Sequence, residues 1–386
     1  MTRLAADWLA TPSTRLVCGV LTEAGHQALF VGGCVRDALL GRCSSDIDLA
    51  TDAPPEFVLD LAARAGVRAV PTGLEHGTVT LVVDGRGYEV TTFRRDIATD
   101  GRRATVAFGA DIVADAARRD FTMNALYARP DGEVLDPLDG LPDLCARRVR
   151  FVGDPSARIA EDYLRVLRFF RFHAWFGDPE GGLDPEAVGA CAAAGEHLGT
   201  LSRERVGAEI RKLLAAPDPA PAVAAMAATG ILARLLPGAD PAILGPLVHF
   251  EAAGSHAPRW PRRLAALGPA VGWAETLRFS RAERKAIAAI VAAGAEPSDV
   301  VAAYRHGAEA ALDAALIRAA ALGSAPRPDL AEAIAGAAAA RFPLRGADLD
   351  LRGPALGAAL RRLETAWIAS GFTLDRDALL GRVTES

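Results

Sequence analysis

Lysine is almost absent from this sequence. Only positions 212 and 285 of the 386 residues are lysine, so arginine carries nearly all of the positive charge. The formal net charge is −5, which excludes a protein that binds nucleic acid through its overall charge. Any contact with nucleic acid must therefore use local basic clusters.

Long apolar runs and paired cysteines are missing as well. No run approaches the roughly 18 to 20 apolar residues of a membrane span, and the amino terminus lacks the basic start and apolar core of a secretory signal. The five cysteines, at positions 18, 34, 43, 145 and 191, form no CxxC pair. We therefore expect a cytoplasmic protein with no membrane contact, with reduced thiols and without a zinc site.

Strand and helix patterns divide the chain into an α/β part and an all-helical part. Residues 1–140 mix short apolar strands with helices, and Asp84-Gly85-Arg86-Gly87 is a hairpin signal between two strands. From residue 141 helical spacing dominates, most strongly over 158–177. We predict an α+β protein with a mixed α/β head (1–140), a helical segment (141–216) and a helical remainder (217–386). The patterns indicate no oligomeric state.

A glycine turn follows the apolar strand ALFVGG (28–33) and precedes a helical pattern. Gly32 and Gly33 let a phosphate approach the backbone closely, and a helix start presents free N–H groups. Arg36, in the first turn of that helix, adds a fork of donors. The same pattern also fits a plain tight turn, and both interpretations stay open at this point.

Two aspartates, Asp46 and Asp48, stand two residues apart in the strand-like segment SDIDLA (45–50). Residues two apart on a strand share a face, and paired carboxylates suit hard divalent cations. Two metal ions roughly 3.5 to 4 Å apart could activate an attacking hydroxyl and neutralise a leaving pyrophosphate. The alternative is a solvated strand end, but the preceding glycine turn favours one cleft for phosphate and metal.

A third carboxylate, Glu89, lies on the second hairpin strand, on the face opposite Tyr88 and Val90. It could complete the carboxylate set or activate the attacking hydroxyl. It could equally pair with an arginine such as Arg94. The sequence does not decide among these possibilities.

The segment RRDFTMNA (118–125) combines basic, acidic and amide side chains. Arg119 can bind phosphate and Asp120 can bind ribose hydroxyls. Asn124, four residues after Asp120, would share a helical face with it. A salt-bridged helix start is the competing interpretation.

The segment EDYLRVLRFFR (161–171) places Asp162, Arg165, Arg168 and Arg171 at intervals of three residues on a helical pattern. Asp162 and Arg165 could read base edges, because cytosine and adenine each present an amino donor beside a ring-nitrogen acceptor. Uracil and guanine present the reverse order, and each unpaired polar group costs roughly 1–3 kcal/mol. The alternative is a surface ion pair worth a few tenths of a kcal/mol.

Several motifs in order resemble one known family. LFVGGCVRDALLG, SSDIDLAT, EVTTFRRD, RRDFTMNALY, DPLDG and EDYLRVLRFFRF are similar to the class II tRNA nucleotidyltransferases, which include CCA-adding enzymes and bacterial poly(A) polymerases within the polymerase-β-like superfamily. The resemblance is strong over residues 28–215 and loose over the helical remainder. It implies a head, neck, body and tail, with tRNA held along the helical parts.

The resemblance also assigns roles to the residues singled out above. Asp46 and Asp48 would bind two Mg²⁺ ions. The residues that would contact the incoming nucleotide are Gly33, Arg36, Arg119, Asp120, Asn124, Asp162, Arg165, Arg168 and Arg171, the last four as an amino-acid template in the neck. Segment 202–214 resembles the helix that braces the neck, where Arg203, Arg205, Arg211 and Lys212 contact RNA or simply face solvent.

The implied activity is addition of CCA to the 3′ end of tRNA from CTP and ATP. Residues 71–80 resemble the CCA-adding branch, so poly(A) polymerase is the second possibility. A CC-adding enzyme is the third, although residues 94–103 supply the flexible loop that such enzymes lack. A catalytically inactive RNA-binding adaptor would not need both aspartates, and an antibiotic-modifying nucleotidyltransferase would not need the Asp162/Arg165 pair.

Overall fold

The structure, a computed structural model, describes residues 2–44, 46–99, 104–109 and 111–382. It comprises two compact units, Met1–Pro237 and Gly238–Ser386. The predicted fold class, a mixed α/β part followed by helices, is confirmed. The finer division at residues 140 and 216 stays a prediction. No helix among the described residues is long and apolar enough to cross a lipid bilayer.

A seven-stranded sheet forms the centre of the first unit, in the order β3-β4-β5-β2-β1-β8-β9. Its strands are β1 (Leu29–Val31), β2 (Asp48–Thr51), β3 (Arg68–Gly73), β4 (Thr78–Val83), β5 (Arg86–Thr92), β8 (Tyr127–Ala128) and β9 (Val134–Leu135), and a separate two-stranded sheet holds β6 (Arg94–Thr99) and β7 (Ala104–Phe108). The pair β2–β5 is parallel, whereas the other pairs of the large sheet are antiparallel.

The hairpin of β4 and β5 turns more tightly than the four-residue signal predicts. Val83 already pairs with Arg86, so only Asp84 and Gly85 form the turn, with φ values of 52° and 76°. Two successive positive φ values are typical of a type I′ turn, whose twist matches that of the flanking strands. Along β4 the side chains alternate between buried and half-buried, which gives the sheet one face toward the core.

The predicted flexible loop over residues 94–103 coincides with the β6–β7 hairpin. Arg94 pairs with Phe108 at the base of this hairpin, and Thr99 pairs with Ala104 near its tip. Residues 100–103 of the predicted loop lie outside the described residues. The hairpin begins directly after β5, which is one strand of the parallel pair in the large sheet.

Eleven helices of the first unit surround and follow the sheet in the described residues. They are α1 (Pro12–Thr22), α2 (Gly33–Leu39), α3 (Pro55–Arg64), α4 (Ile112–Ala117), α5 (Gly140–Cys145), α6 (Pro155–Glu161), α7 (Leu164–Phe176), α8 (Pro185–Ala193), α9 (Arg203–Leu214), α10 (Ala220–Ala228) and α11 (Ile231–Leu235). Ser202 caps α9 as predicted, because its side chain accepts the Arg205 N–H.

The helical pattern over 158–177 predicts one helix, and this prediction is wrong in one respect. α6 ends at Glu161 and α7 begins at Leu164. Asp162 between them has an extended backbone, with φ −155° and ψ 106°, and its carboxylate accepts the Leu164 N–H at 3.0 Å. This Asx-type bond offers the backbone an alternative to helical continuation, so Asp162 is not on the same helix as Arg165, Arg168 and Arg171.

The second unit consists of helices in the described residues. They are α12 (Leu244–Ala253), α13 (Trp260–Leu267), α14 (Ala270–Thr276), α15 (Arg281–Gly294), α16 (Asp299–His306), α17 (Ala308–Leu322), α18 (Leu330–Ala339), α19 (Gly353–Ala369) and α20 (Arg376–Gly381). A fully buried ionic network ties α12, α13 and α17 together. Arg262 bonds Glu251 and Asp313, each at 2.7 Å, and Arg263 bonds the other oxygen of Glu251 at 2.7 Å. Each buried charge contacts an opposite charge, and the attraction between them offsets part of the cost of removing them from water.

Candidate active site

Three carboxylates line one open cleft of about 280 Å³ on the large sheet. Asp46 lies two residues before β2 and is exposed, Ile47 is buried, and Asp48 is the first residue of β2. The segment therefore alternates as predicted, although the strand itself begins only at Asp48. Glu89 on β5 is the direct cross-strand partner of Asp48. All of these residues, with Thr80 and Gly87, form the lining of the cleft.

The orientation of Glu89 follows from the alternation along β5. Its neighbours Tyr88 and Val90 are buried on the core face of the sheet, so Glu89 points to the opposite face, where it lies exposed beside Asp48. Arg94, the alternative partner weighed above, donates a hydrogen bond to the backbone carbonyl of His76. The structure thus brings Glu89 to the aspartates, whereas its chemical role stays a prediction.

The electrostatics of the cleft favour a cation. Burial, followed by the nearby charges of Glu89 and Asp46, raises the pKa of the Asp48 carboxyl to about 6 against the opposing effect of Arg119. A carboxylate that is disfavoured by burial and by like charges gains most from a positive ion beside it. The cleft therefore has the donor chemistry and the charge of a divalent cation site.

The carboxylates of the cleft could contribute to a divalent cation site. Within the described ranges, no three His, Cys, Asp or Glu side chains are grouped closely enough to hold a metal ion by themselves. Mg²⁺ is commonly bound by one or two carboxylates together with substrate phosphates and water. The pair Asp46 and Asp48 fits such a site, in which the substrate completes the coordination.

The predicted phosphate turn lies at the end of β1. Gly32 has φ 72° and ψ −122°, a conformation that strongly favours glycine. A Cβ at this position would also come within 3.3 Å of the Arg119 Nη1 atom. The turn therefore favours glycine for its backbone angles, and the Arg119 guanidinium lies close beside it.

Four predicted nucleotide-binding residues form a single hydrogen-bonded chain. Arg36 Nη1 donates to Asn124 Oδ1 at 2.6 Å, and Asn124 Nδ2 donates to Asp120 Oδ1 at 3.0 Å. Arg168 Nε donates to Asp120 Oδ2 at 2.9 Å. Asp120 and Asn124 do not share a regular α-helical face, because Thr122–Asn124 is one short 3₁₀ turn, yet their side chains still meet.

Arg36 is largely buried, at 7% exposure, and it stacks on an aromatic ring. Its guanidinium carbon lies 3.8 Å from the centre of the Phe176 ring at the end of α7. This contact, together with the bond to Asn124, holds α2 against α7. The arginine predicted to hold the triphosphate is therefore already fixed in place by its neighbours.

The base-reading residues bond other side chains. Asp162 accepts a hydrogen bond from Arg205 of α9 at 2.6 Å, and Arg165 pairs with Glu161 and donates to the Arg158 carbonyl, the latter at 2.7 Å. The structure thus places Asp162 and Arg165 in neighbouring ion pairs. Their joint reading of a base stays a prediction.

The last arginine of the reader segment, Arg171, also contacts α9. Its Nε donates to Glu209 at 2.6 Å, and Glu209 is buried. With Arg205 bound to Asp162, α9 holds both ends of the reader segment. This is the bracing contact that the resemblance implies for segment 202–214.

Sequence reasoning missed the partners that fix these side chains. Asp115, Tyr127, Glu161 and Glu209 each bond one of the predicted nucleotide-binding residues. A buried acidic residue inside a helical segment, such as Glu209 in α9, was the available signal, because a charge on a core-facing position demands a partner.

The chain is similar to known proteins in sequence and in structure. A family model described as "Poly A polymerase head domain" matches residues 28–150, and one described as "Probable RNA and SrmB- binding site of polymerase A" matches residues 182–243. The human protein CCA tRNA nucleotidyltransferase 1, mitochondrial, is 40% identical over 207 residues, which are 53% of this chain and 48% of the human one.

A bacterial relative and a solved structure extend the similarity. The CCA-adding enzyme of Levilactobacillus brevis is 41% identical over 219 residues, 56% of this chain and 53% of that protein. The chain spans about half the length of the curated relatives it matches. The crystal structure of the Bacillus stearothermophilus CCA-adding enzyme in complex with CTP is similar with a TM-score of 0.72 and 30% identity, and the match covers 93% of this chain and 94% of that one.

Proposed function

The chain belongs to the class II tRNA nucleotidyltransferases, and we propose that it adds C, C and A to the 3′ end of tRNA from CTP and ATP. The observation that carries the proposal is the meeting of Asp46, Asp48 and Glu89 in one cleft. Relatives named CCA-adding enzymes, one of them solved with CTP, support the choice of substrates. The cytoplasmic location expected from the sequence stays a prediction.

Asp46 and Asp48 would hold two magnesium ions in this cleft. When bound, such ions would lower the pKa of the attacking hydroxyl and neutralise the charge that develops on the leaving pyrophosphate. Family membership supports a divalent metal, and the two-carboxylate donor set supports magnesium. The raised pKa of Asp48 supports this role, because a nearby cation would stabilise the charged form that burial and the neighbouring carboxylates disfavour.

The reaction needs an oriented triphosphate and a free 3′ hydroxyl. The tRNA 3′ oxygen attacks the α-phosphorus of the nucleotide, the bond from that phosphorus to the bridging oxygen breaks, and pyrophosphate leaves with the electron pair. The hydroxyl proton passes to Glu89 or to water. The Gly32–Gly33 turn, Arg36 and Arg119 would hold the triphosphate, because backbone N–H groups and guanidinium forks match phosphate oxygens.

Base choice would rest with Asp162 and Arg165. A carboxylate accepts from the exocyclic amino group of cytosine or adenine, and a guanidinium donates to the adjacent ring nitrogen. For this the two side chains must exchange their present partners, Arg205 and Glu161, for the base or share them with it. Asp120, Asn124, Arg168 and Arg171 would hold the rest of the nucleotide.

The test supplies tRNA lacking its 3′ CCA, magnesium and single or combined nucleotides. We expect two C residues from CTP alone and a complete CCA end from CTP with ATP. Long A tails without C would instead indicate a poly(A) polymerase, the enzyme named in the description of the family model that matches residues 28–150. Incorporation that stops after two C residues with both nucleotides present would indicate a CC-adding enzyme.

A variant separates chemistry from binding. Asp48→Ala should abolish incorporation, because one of the two metal-binding carboxylates is lost, while the affinity for tRNA stays within about twofold of the wild type. Filter binding with labelled tRNA measures that affinity. Equal loss of tRNA binding would show that Asp48 has a structural role and would contradict the proposed site.

A further inference from the structure

Asp115, on α4, is a buried carboxylate that no part of the proposed reaction uses. Its side chain is 1% exposed. One oxygen accepts from Arg118 Nε at 2.9 Å and from the backbone N–H of Arg94 at 3.4 Å. The other accepts from Arg119 Nη2 at 3.1 Å and from the Tyr127 hydroxyl at 2.7 Å. The Asp115 carboxylate thus links the backbone of Arg94, at the base of the β6–β7 hairpin, to the side chain of Arg119.

Tyr127, on β8, closes this contact into a triangle. It is fully buried, and its hydroxyl donates to Asp115 while accepting from Arg119 Nε at 3.1 Å. Burial raises the pKa of Tyr127 well above its ordinary value, so the phenol stays protonated and keeps its donor. Each member of the triangle bonds both others, which fixes the plane of the Arg119 guanidinium.

The remaining nitrogen of that guanidinium lies toward the glycine turn. Arg119 Nη1 is the atom that a Cβ at Gly32 would approach within 3.3 Å. Two of the three guanidinium nitrogens, Nε and Nη2, are occupied by Tyr127 and Asp115. The third is therefore aimed at the place where the proposed function puts the triphosphate.

We propose that Asp115 and Tyr127 are positioning residues that aim Arg119 at the triphosphate. This inference rests on the proposed function. A held side chain loses less rotamer freedom on binding than a mobile one, and immobilising one flexible side chain costs an amount that corresponds to roughly 3- to 10-fold in affinity. The two residues would thus raise the affinity for the triphosphate group of a nucleotide, whichever base the nucleotide carries.

The test removes one oxygen atom. Tyr127→Phe keeps the buried ring but deletes the hydroxyl that holds Arg119 and Asp115. We expect the KM values for CTP and for ATP to rise by the same factor, roughly 3- to 10-fold, with kcat within about twofold and base choice unchanged. Calorimetric titration with inorganic tripolyphosphate and magnesium should show the same loss of affinity.

Tyr88→Phe is the matched control. Tyr88 is equally buried in the same unit, and its hydroxyl bonds Thr14 at 3.2 Å and Ser13 at 3.0 Å on α1. We expect wild-type KM values and wild-type tripolyphosphate affinity for this variant. Asp115→Asn is the second test variant. Its loss of tripolyphosphate affinity should equal or exceed that of Tyr127→Phe, because the substitution removes the negative charge that faces Arg119.

The inference is overturned by an unchanged tripolyphosphate affinity in Tyr127→Phe, by an equal change in Tyr88→Phe, or by a KM change confined to one of the two nucleotides. A wild-type protein that binds no tripolyphosphate overturns it as well. If the wild type incorporates neither C nor A, the proposed function fails on its own, and the tripolyphosphate titration of the variants still decides whether the two residues position Arg119.

Discussion

The charged form of Asp48 destabilises the folded protein when no metal is bound, and this energetic cost can be measured. Burial, and then the charges of Glu89 and Asp46, raise its pKa from an ordinary value of 3.8 to about 6. A shift of about two pKa units corresponds to roughly 3 kcal/mol, since each unit is worth about 1.4 kcal/mol. The side chain is partly open to solvent, which screens the interaction, so we expect about 1–2 kcal/mol.

The pH dependence of this cost follows from the direction of the shift. The folded pKa lies above the unfolded one, so the folded protein binds the proton more tightly. Below about pH 4 the carboxyl is protonated in both states and the cost is absent. The cost grows as the pH rises toward 6 and is complete above it. A bound magnesium ion removes it, because the ion stabilises the charged form.

Asp48→Asn tests this reasoning, since the amide has the size of the carboxyl without its charge. In urea unfolding with EDTA at pH 7.5, we expect the variant to be about 1–2 kcal/mol more stable than the wild type. At pH 4 the difference should fall to a small fraction of this value, and it should vanish well below the ordinary pKa of 3.8. Added magnesium should stabilise the wild type and have little effect on the variant.

Asp60→Asn provides the control, because Asp60 is an exposed residue of α3 and its replacement should leave both pH and magnesium effects unchanged. If Asp48→Asn proves less stable than the wild type at pH 7.5 without metal, the carboxylates do not repel one another in the folded state. Equal stabilisation of both proteins by magnesium would place the ion elsewhere.

Two further predictions concern the reader segment and the second unit. Asp162→Ala should allow UTP to compete with CTP, because the acceptor for the amino group is gone; selectivity identical to that of the wild type in a mixed-nucleotide assay would refute the reader. Asp313→Ala should lower the unfolding free energy of the second unit by about 3–5 kcal/mol, because it leaves two buried arginines, Arg262 and Arg263, with Glu251 as their one shared carboxylate. Glu309→Ala removes an exposed partner of Arg259 and should lower the unfolding free energy by less than about 1 kcal/mol in the same urea titration. If the two variants lose similar amounts of stability, burial does not determine how much an ion pair contributes.

Local signals predicted the elements that local chemistry controls. The Asp84-Gly85 turn, the Ser202 cap and the alternation around Ile47 all depend on residues within a few positions of one another. The break at Asp162 was missed because the apolar spacing continues through it, while the Asp162 side chain bonds the Leu164 backbone N–H at the break. Strand β3, at the edge of the sheet, has mostly half-exposed or exposed side chains and gives no clear alternation.

The site was predicted residue by residue, but its connections were not. The family resemblance assigned nucleotide contacts to Arg36, Asp120 and Asn124, yet nothing in the sequence indicates that Arg36 bonds Asn124 across 88 positions. The same holds for Asp162 and Arg205, which lie 43 positions apart. Such pairs arise from packing of distant segments, and a single sequence records the partners without their distance.

The parallel pairing of β2 with β5 has a consequence for folding. Asp48 and Glu89 are cross-strand neighbours, but the chain between them must first complete α3, β3 and the β4–β5 hairpin before β5 can dock beside β2. Contacts between distant segments close late and slowly compared with local ones. The cleft therefore forms only after β5 has paired with β2, and a cation bound between Asp48 and Glu89 would report on a protein in which this long-range pairing is complete.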